Sequence, residues 1–434
     1  MTRPLPANIR DKKTQRTTFF ARSVCCVAIL VLLSSQSQAD THGPICLWHS
    51  DPTTSTTIEW IESREEMPEE ELPEMAYRLE YRQKAERDDA SNNQPWLRAE
   101  IARRPFADSG SFVHSAHLQD LLPETSYEFR LVEVFPEEDR YFPEQWFHTA
   151  PATRTEPVSF VTGGDMFHSR ELLDAMNACA GNCDPMFALL GGDLAYANAK
   201  TAGRWYEWFD SWHEHAVTPQ GRCVPMVVVI GNHETSGPNP ADAKFYYSLF
   251  PLPEDKSNFV IDFGDYLSVV ALDSNHSQRV AAQTQWLQQT LADRADFPHL
   301  FACYHRPTFG TQVKTDQVAV RTEWVPLFEQ HCVSAVFEND HHVYKRTLPI
   351  RKDSVDAERG VLYLGDGAWG AGVRKIPEDK VQQLEYMAAW ASKNHLIEVV
   401  IDDAGRSYFA RTADGESFDE VRDERRRQEL LGGH

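Results

Sequence analysis

Five short motifs in the chain each set an acid, an amide or an imidazole directly behind an apolar run. They read VSFVTGGD, MFALLGGDLAY, MVVVIGNHE, LFACYHRP and VSAVFENDHHVYKR. Their ionisable or metal-competent members are Asp165, Asp193, Tyr196, Asn232, His233, Glu234, His305, Asp340, His341 and His342. Two divalent or trivalent ions held close together need one shared anionic ligand, and each needs a terminal set of oxygen and nitrogen donors. Here one Asp can bridge, and the remaining Asp, Asn and His side chains can terminate, leaving positions open for water and a substrate. Each residue also has a plainer reading. Asp165 and Asp193 after Gly-Gly suit turns or N-caps, Tyr196 suits core packing, Asn232 suits an Asx-turn, and His305 suits a satisfied interior histidine. Taken jointly, the plain readings require five coincidences.

The elements that must position these residues are legible in the same stretches. From residue 153 to 434, apolar strands alternate with helical segments, the grammar of an α/β domain with buried strands. Ligands of open α/β sheets gather beyond the carboxyl ends of the strands, where all five motifs fall. Within RWYEWFDSW, Trp205, Trp208, Phe209 and Trp212 recur at i, i+3, i+4 and i+7 and predict a helix face packed into the core. Residues 40–152 read differently. ICLWHSD, STTIEWIES, AYRLEYR, SFVHSAHL and SYEFRLVEVF are strand-length segments with polar punctuation and no long helical period, which predicts an all-β sandwich. TAPATRTEP links the two regions, and the acidic MPEEELPEM reads as an exposed loop.

At 434 residues, with 41% hydrophobic and 11% aromatic content, the chain is large enough for two filled cores and is not a disordered protein. Six basic residues lead into the apolar run VCCVAILVLL, with small residues at positions 37 and 39. That run is too short to cross a bilayer, which takes about 20 residues, so residues 1–39 read as a secretory signal cleaved after Ala39, with an uncleaved anchor as the alternative. The expected location is secreted or periplasmic. The net charge of −22 becomes more negative once the basic leader is removed. Such a surface repels polyanions, so neither nucleic acid nor, after cleavage, a membrane is expected as a partner. A small phosphorylated substrate is not excluded, because bound metal can dominate the local field. A homo-oligomer is compatible with all of this. Of eight Cys, Cys46, Cys179, Cys183, Cys223, Cys303 and Cys332 lie beyond the leader and allow up to three disulfides. Cys179 and Cys183 suit zinc, but no second such pair completes a site.

The five blocks, in this order, resemble the metallophosphoesterase superfamily, and specifically purple acid phosphatases with an N-terminal fibronectin type III-like domain. GD-x-x-Y together with GNHE is the most demanding part of the match. Leu121, Pro123, Thr125 and Tyr127 in LLPETSYEFR likewise resemble the fibronectin pattern, in which the Tyr hydroxyl closes a corner on upstream backbone. The resemblance implies that Asp165, Tyr196 and His342 hold a first metal, iron. Asp193 would bridge, and Asn232 and His305 would hold a second ion, Fe, Mn or Zn. It further implies hydrolysis of a phosphate monoester by a metal-activated hydroxide. His233 would orient the phosphate or protonate the leaving group, and Glu234 would hold His233 in place. A phosphodiesterase or nucleotide-directed hydrolase fits the same motifs. From a different class, a secreted binding protein with a degenerate metal site is the alternative.

The last block departs from the pattern. Where relatives read G-H-x-H, this chain places Asn339 and Asp340 ahead of His342. If the segment is extended, Asp340 and His342 point the same way and His341 the other, so Asp340 can stand in for the missing His. A carboxylate there should favour Mn, Fe or Mg over Zn. A local bulge would bring His341 in instead. His213 with His215, and His114 with His117, read as surface pairs. Asp366 suits either the pocket border or a strand-end turn. Asn275-His-Ser is a glycosylation sequon.

Overall fold

The computed structural model describes residues 40–64, 76–85 and 94–432. The leader and the acidic loop of the sequence reading lie outside the described residues.

The N-terminal region is a sandwich of two antiparallel sheets. In the first, Asp40–Leu47, Thr56–Ser63, Phe112–Leu118 and Ala102–Pro105 lie side by side. In the second, Ala76–Gln83 and Ser126–Val134 pair along their full lengths, flanked by Leu97–Arg98, Arg140–Tyr141 and Gln145–His148. Inward residues alternate as a half-buried strand requires, and Ile58, Trp60, Leu79, Leu118, Phe129, Leu131 and Phe147 fill the space between. The expected corner is present: the Leu122 amide donates to the Tyr127 hydroxyl at 2.9 Å. His114 corrects the sequence reading. It is buried, stacked on Trp60, and 2.8 Å from Glu62. Its acid partner sits on the neighbouring strand, so no local pattern could reveal it. His213 also points inward, its Nδ1 2.9 Å from the Pro44 carbonyl.

The sheet does not stop at the linker. Strand Asp40–Leu47 runs parallel to Met226–Val228, with Leu47 opposite Met226, and the Trp48 amide donates to the Met226 carbonyl at 2.9 Å. The same sheet continues through the parallel strands Phe187–Leu190 and Val158–Gly163 to the antiparallel Leu396–Asp402, Gly405–Arg411 and Ser417–Asp423, ten strands in all. A second sheet has seven strands. Its centre is parallel, built from Leu267–Ala271, His299–Cys303, Ala335–Glu338 and Leu362–Gly365. Phe160 and Phe187 of the first sheet meet Phe263, Phe301 and Phe337 of the second, with ring centroids 4.4 to 5.8 Å apart. Such aromatic pairs add to the burial that holds the two sheets together.

Helices cover the outer faces. Arg170–Asn182 is capped by Ser169, whose hydroxyl accepts from the Leu172 amide. Helix Gly203–His215 buries Trp205, Trp208, Phe209 and Trp212, as the stripe predicts. Among the described residues, no helix is long and apolar enough to cross a membrane.

Candidate metal centre

Five parallel strands deliver their carboxyl ends to one place. Val158–Gly163 leads to Asp165, Phe187–Leu190 to Asp193, and Met226–Val228 to Asn232 and His233. From the other sheet, His299–Cys303 leads to His305 and Ala335–Glu338 to Asp340 and His342. One donor atom each from Asp165, Asp193 and His305 lies within 4.8 Å of the others, and all three residues are buried. The backbone bends sharply to aim them. Asp165, Asp193, Tyr196, Asp340 and His342 all have φ between 53° and 75°. This left-handed region is uncommon for residues other than Gly, least so for Asp and His and more so for Tyr, and such residues cluster at functional sites. Gly231 and Gly367 make room: a Cβ on either would strike an oxygen of Asp193 or Asp165 respectively.

At one end of the site the Tyr196 hydroxyl donates to Asp165 Oδ1 at 3.1 Å and lies 3.0 Å from His342 Nε2. His342 Nε2 is itself 2.9 Å from Asp165 Oδ1. Burial, followed by the charges of Asp165 and Asp193, pushes the Tyr196 phenol far above its ordinary range. At the other end His305 Nε2 is 3.3 Å from Asp193 Oδ2 and 3.6 Å from Asp340 Oδ1. Burial pulls His305 down, but the Asp193 and Asp165 carboxylates outweigh it and leave it well above the usual imidazole value. Burial would raise Asp193, yet His305 holds it at about 2.

The donor set fits metal ions. His305 Nε2 and Asp193 Oδ2 are buried, 3.3 Å from each other, and neither makes a hydrogen bond of good geometry. Bare buried polar atoms are expensive, and two facing each other beside a further carboxylate are what a cation completes. His305 Nδ1 is tied to the Gly191 carbonyl at 2.9 Å, which turns Nε2 toward the site. Asn232 sits half-buried on the turn between Gly231 and His233.

The Asp340 segment is not extended, yet it reaches the expected result by another route. With Asp340 at φ 75° and His342 at φ 57°, two left-handed residues flank His341. Asp340 faces His305, and His342 faces Asp165. His341 turns away to Asp366, with its Nδ1 3.3 Å from Asp366 Oδ2. Asp366 is therefore a buried partner of His341. Asn339, standing where relatives carry Gly, donates through Nδ2 to the Tyr304 carbonyl at 3.2 Å. It fits because Gly164 and Gly191 carry no side chain at the points it occupies.

Glu234 differs from its expected role. Its carboxylate accepts the Gly231, Asp193 and Leu194 amides at 2.8, 2.7 and 2.9 Å, binding the two loops together rather than holding the His233 ring. Burial, reinforced by Asp193, pushes it up to about 8. The residue against the His233 ring is Asn198, whose Oδ1 meets His233 Nδ1. Asn198 also donates its own amide to the His233 carbonyl at 2.9 Å. His233 Nε2 is 3.7 Å from Asp193 Oδ2, and the side chain is one-third exposed, at the mouth of the site.

Besides Asn198, four residues near the site escaped the sequence reading. Lys314 Nζ lies 2.6 Å from Asp340 Oδ1, and Arg374 Nη1 donates to the Asp340 carbonyl at 3.2 Å. His168 stands edge-on to Tyr196 and His342. His276 stands edge-on to His305 at 5.4 Å, while its neighbour Asn275 is exposed. None of the four ends a strand in a recognisable motif. His168 alone gave a local sign, three residues beyond Asp165.

Two facing sheets with metal-competent loops at their carboxyl edges define the metallophosphoesterase fold. Residues 148–344 match the model of the calcineurin-like phosphoesterase family, and the chain carries a domain of that kind. An uncharacterised protein of Mycobacterium tuberculosis is 27% identical over 317 residues, covering 59% of this chain and 58% of that one. An Arabidopsis thaliana protein named as a probable inactive purple acid phosphatase is 25% identical over 284 residues, covering 55% of this chain and 44% of its own length. The chain thus spans 58% of the first of these relatives and 44% of the second. The solved structure of purple acid phosphatase PPD1 from yellow lupin (Lupinus luteus) aligns with a TM-score of 0.71 at 16% identity, over 91% of this chain and 76% of that one. The chain shares the purple acid phosphatase fold.

Proposed function

We propose that the chain is a secreted dinuclear-metal phosphatase that hydrolyses phosphate monoesters. The observation that carries this reading is the buried cluster of ligand atoms from Asp165, Asp193 and His305, all within 4.8 Å of one another, in which His305 Nε2 and Asp193 Oδ2 face each other without a well-formed hydrogen bond. Asp193 would bridge two ions. Asp165, Tyr196 and His342 would hold the first, and Asn232, His305 and Asp340 the second. A phenol oxygen beside a carboxylate is a hard donor pair that suits iron in the first position, with Fe, Mn or Zn in the second. Bound there, the cations would neutralise phosphoryl charge and acidify a water.

The chain's own residues do the rest. Asn198 Oδ1 accepts from His233 Nδ1–H and leaves Nε2 at the mouth of the site; with a second proton on Nε2, the imidazolium can donate to the phosphate or protonate the leaving oxygen. Glu234 keeps the Asp193 and His233 loops in register. The basic, apolar leader supports secretion. The Tyr127 corner supports a fibronectin type III-like reading of the N-terminal sandwich.

The test is turnover of a panel of phosphate mono- and diesters by the metal-loaded protein. Monoester hydrolysis that disappears in Asp193→Asn is expected. Faster turnover of diesters would replace the monoester reading with the phosphodiesterase one. One observation favours a non-enzymatic binding protein: Asp340 is already ion-paired to Lys314. One ion or none per chain, with no turnover of any ester, would establish that alternative.

A further inference from the structure

The two ends of the site are not equally free to accept a cation. Asp165 Oδ1 is met by an imidazole and a phenol, both groups that can give way to a metal by losing a proton or by turning a lone pair toward it, while Oδ2 accepts the uncharged Asp340 amide at 2.8 Å. Asp340 is met by a permanent charge. Lys314 Nζ contacts both its carboxylate oxygen, at 2.6 Å, and its carbonyl oxygen, at 2.8 Å. The carboxylate is almost wholly buried, whereas the lysine side chain is about one-third exposed. The ammonium thus approaches from the solvent side, while His305 Nε2 stands 3.6 Å from the same oxygen, Oδ1, within the site. A cation placed among Asp193, His305 and Asp340 would share Oδ1 with Lys314 or displace it, and like charges at such separations repel strongly where water is scarce.

We infer that Lys314 is a positioning residue that sets the strength of the second cation position. It neutralises the carboxylate that stands where relatives carry a histidine, and so keeps the second ion weakly held and exchangeable while leaving the first unaffected. Asp340 and Lys314 act as one unit. The carboxylate adds a negative charge that an imidazole would not, and the lysine cancels it. Among the described residues no lysine pairs with Asp165; the cation nearest that end is Arg374, which donates to the Asp340 carbonyl at 3.2 Å and lies 3.4 Å from His342 Nε2, without contacting a carboxylate there. This inference rests on the dinuclear reading above.

The experiment is Mn(II) titration of chelator-stripped, full-length protein, followed by calorimetry and by metal per chain after dialysis. Mn(II) suits the oxygen-rich donor set. Wild type should bind one ion tightly and a second weakly. Lys314→Met keeps the aliphatic stem and removes the charge. It should tighten the second step by roughly 10- to 100-fold, the range expected when one close, poorly screened charge is removed. The first step should move less than about twofold on the same grounds. Lys314→Arg should restore the wild-type isotherm. Asp340→Asn should weaken the second step whether or not Lys314 is present. A Lys314→Met isotherm that retains two ions and superimposes on wild type would overturn the role of Lys314 and leave the dinuclear reading intact. Absence of bound metal in both proteins would overturn both. Unchanged melting of the stripped variant excludes misfolding as the cause.

Discussion

Glu234 Oε2 takes the Asp193 amide hydrogen across 2.7 Å, although Glu234 and His233 are neighbours in sequence. The carboxylate is therefore a brace for the Asp193 loop. Substituting Glu234→Ala leaves three buried amides without an acceptor, a cost of about 3–5 kcal/mol after partial relaxation. The expected outcome is a lower melting temperature together with reduced metal content. His233→Ala should instead lower kcat by about 10²- to 10⁴-fold, the range for a lost proton-transfer group, with metal content and melting unchanged. Elemental analysis and thermal melts on the two variants separate the roles.

Asn198 is the residue that holds the His233 ring. Asn198→Ala should lower kcat by roughly tenfold and leave KM nearly unchanged, as loss of an orienting contact does. Steady-state kinetics on a monoester with a poor leaving group is the sensitive measurement. An effect as large as that of His233→Ala would mean that Asn198 does more than orient.

Away from the site, burial raises Glu59 to about 7, with Arg104 opposing, and one of its oxygens has no partner. A carboxyl raised on folding stabilises the folded state fully below its unfolded value near 4.5, and that contribution is lost as pH climbs to 7. The loss amounts to about 3 kcal/mol for such a shift in a fully buried group. Glu59→Gln keeps a hydrogen-bonding partner for Arg104 and removes the titration. Its melting temperature should match wild type near pH 4.5 and exceed it by several degrees at pH 8. Parallel pH–melting curves would contradict this.

The Cys46 and Cys223 thiols are neighbours in the core of the sandwich, as are those of Cys179 and Cys183 at a helix end. In an oxidising compartment the first pair should form a disulfide that joins strand Asp40–Leu47 to the segment leading into Met226–Val228. Closing so long a loop is worth up to about 5 kcal/mol. Peptide mapping of protein exported by its host should recover the Cys46–Cys223 cross-link, and reduction should lower the melting temperature.

How far the sequence revealed this molecule can be judged residue by residue. Asp165, Asp193, His305 and His342 were legible because each follows a buried strand directly and the strand order fixes where the ends converge. Trp205 to Trp212 and Tyr127 were legible because a helix face and a strand corner are local patterns. The Asp340 segment was read as extended, and its backbone is instead two left-handed residues around His341, which nothing local distinguishes from an extended run; Asp340 still faces His305. Lys314, Asn198 and the Glu62 partner of His114 were invisible for one shared reason. Each acts through a contact to a distant part of the chain, and side-chain type alone does not reveal its target.

The strand pairing of Leu47 with Met226 has a consequence for how this chain can be divided. Cut away everything before the linker, and Met226–Val228 becomes the border of its sheet, with open amides and carbonyls a few residues ahead of the turn that carries Asn232 and His233. Such a border invites association with other chains. Among its described residues the N-terminal sandwich adds none to the candidate metal cluster, yet it acts as a selvedge that keeps the neighbouring cloth from fraying next to its most delicate stitch. A graft of the phosphoesterase part onto a different N-terminal module would carry over every ligand and lose that seam.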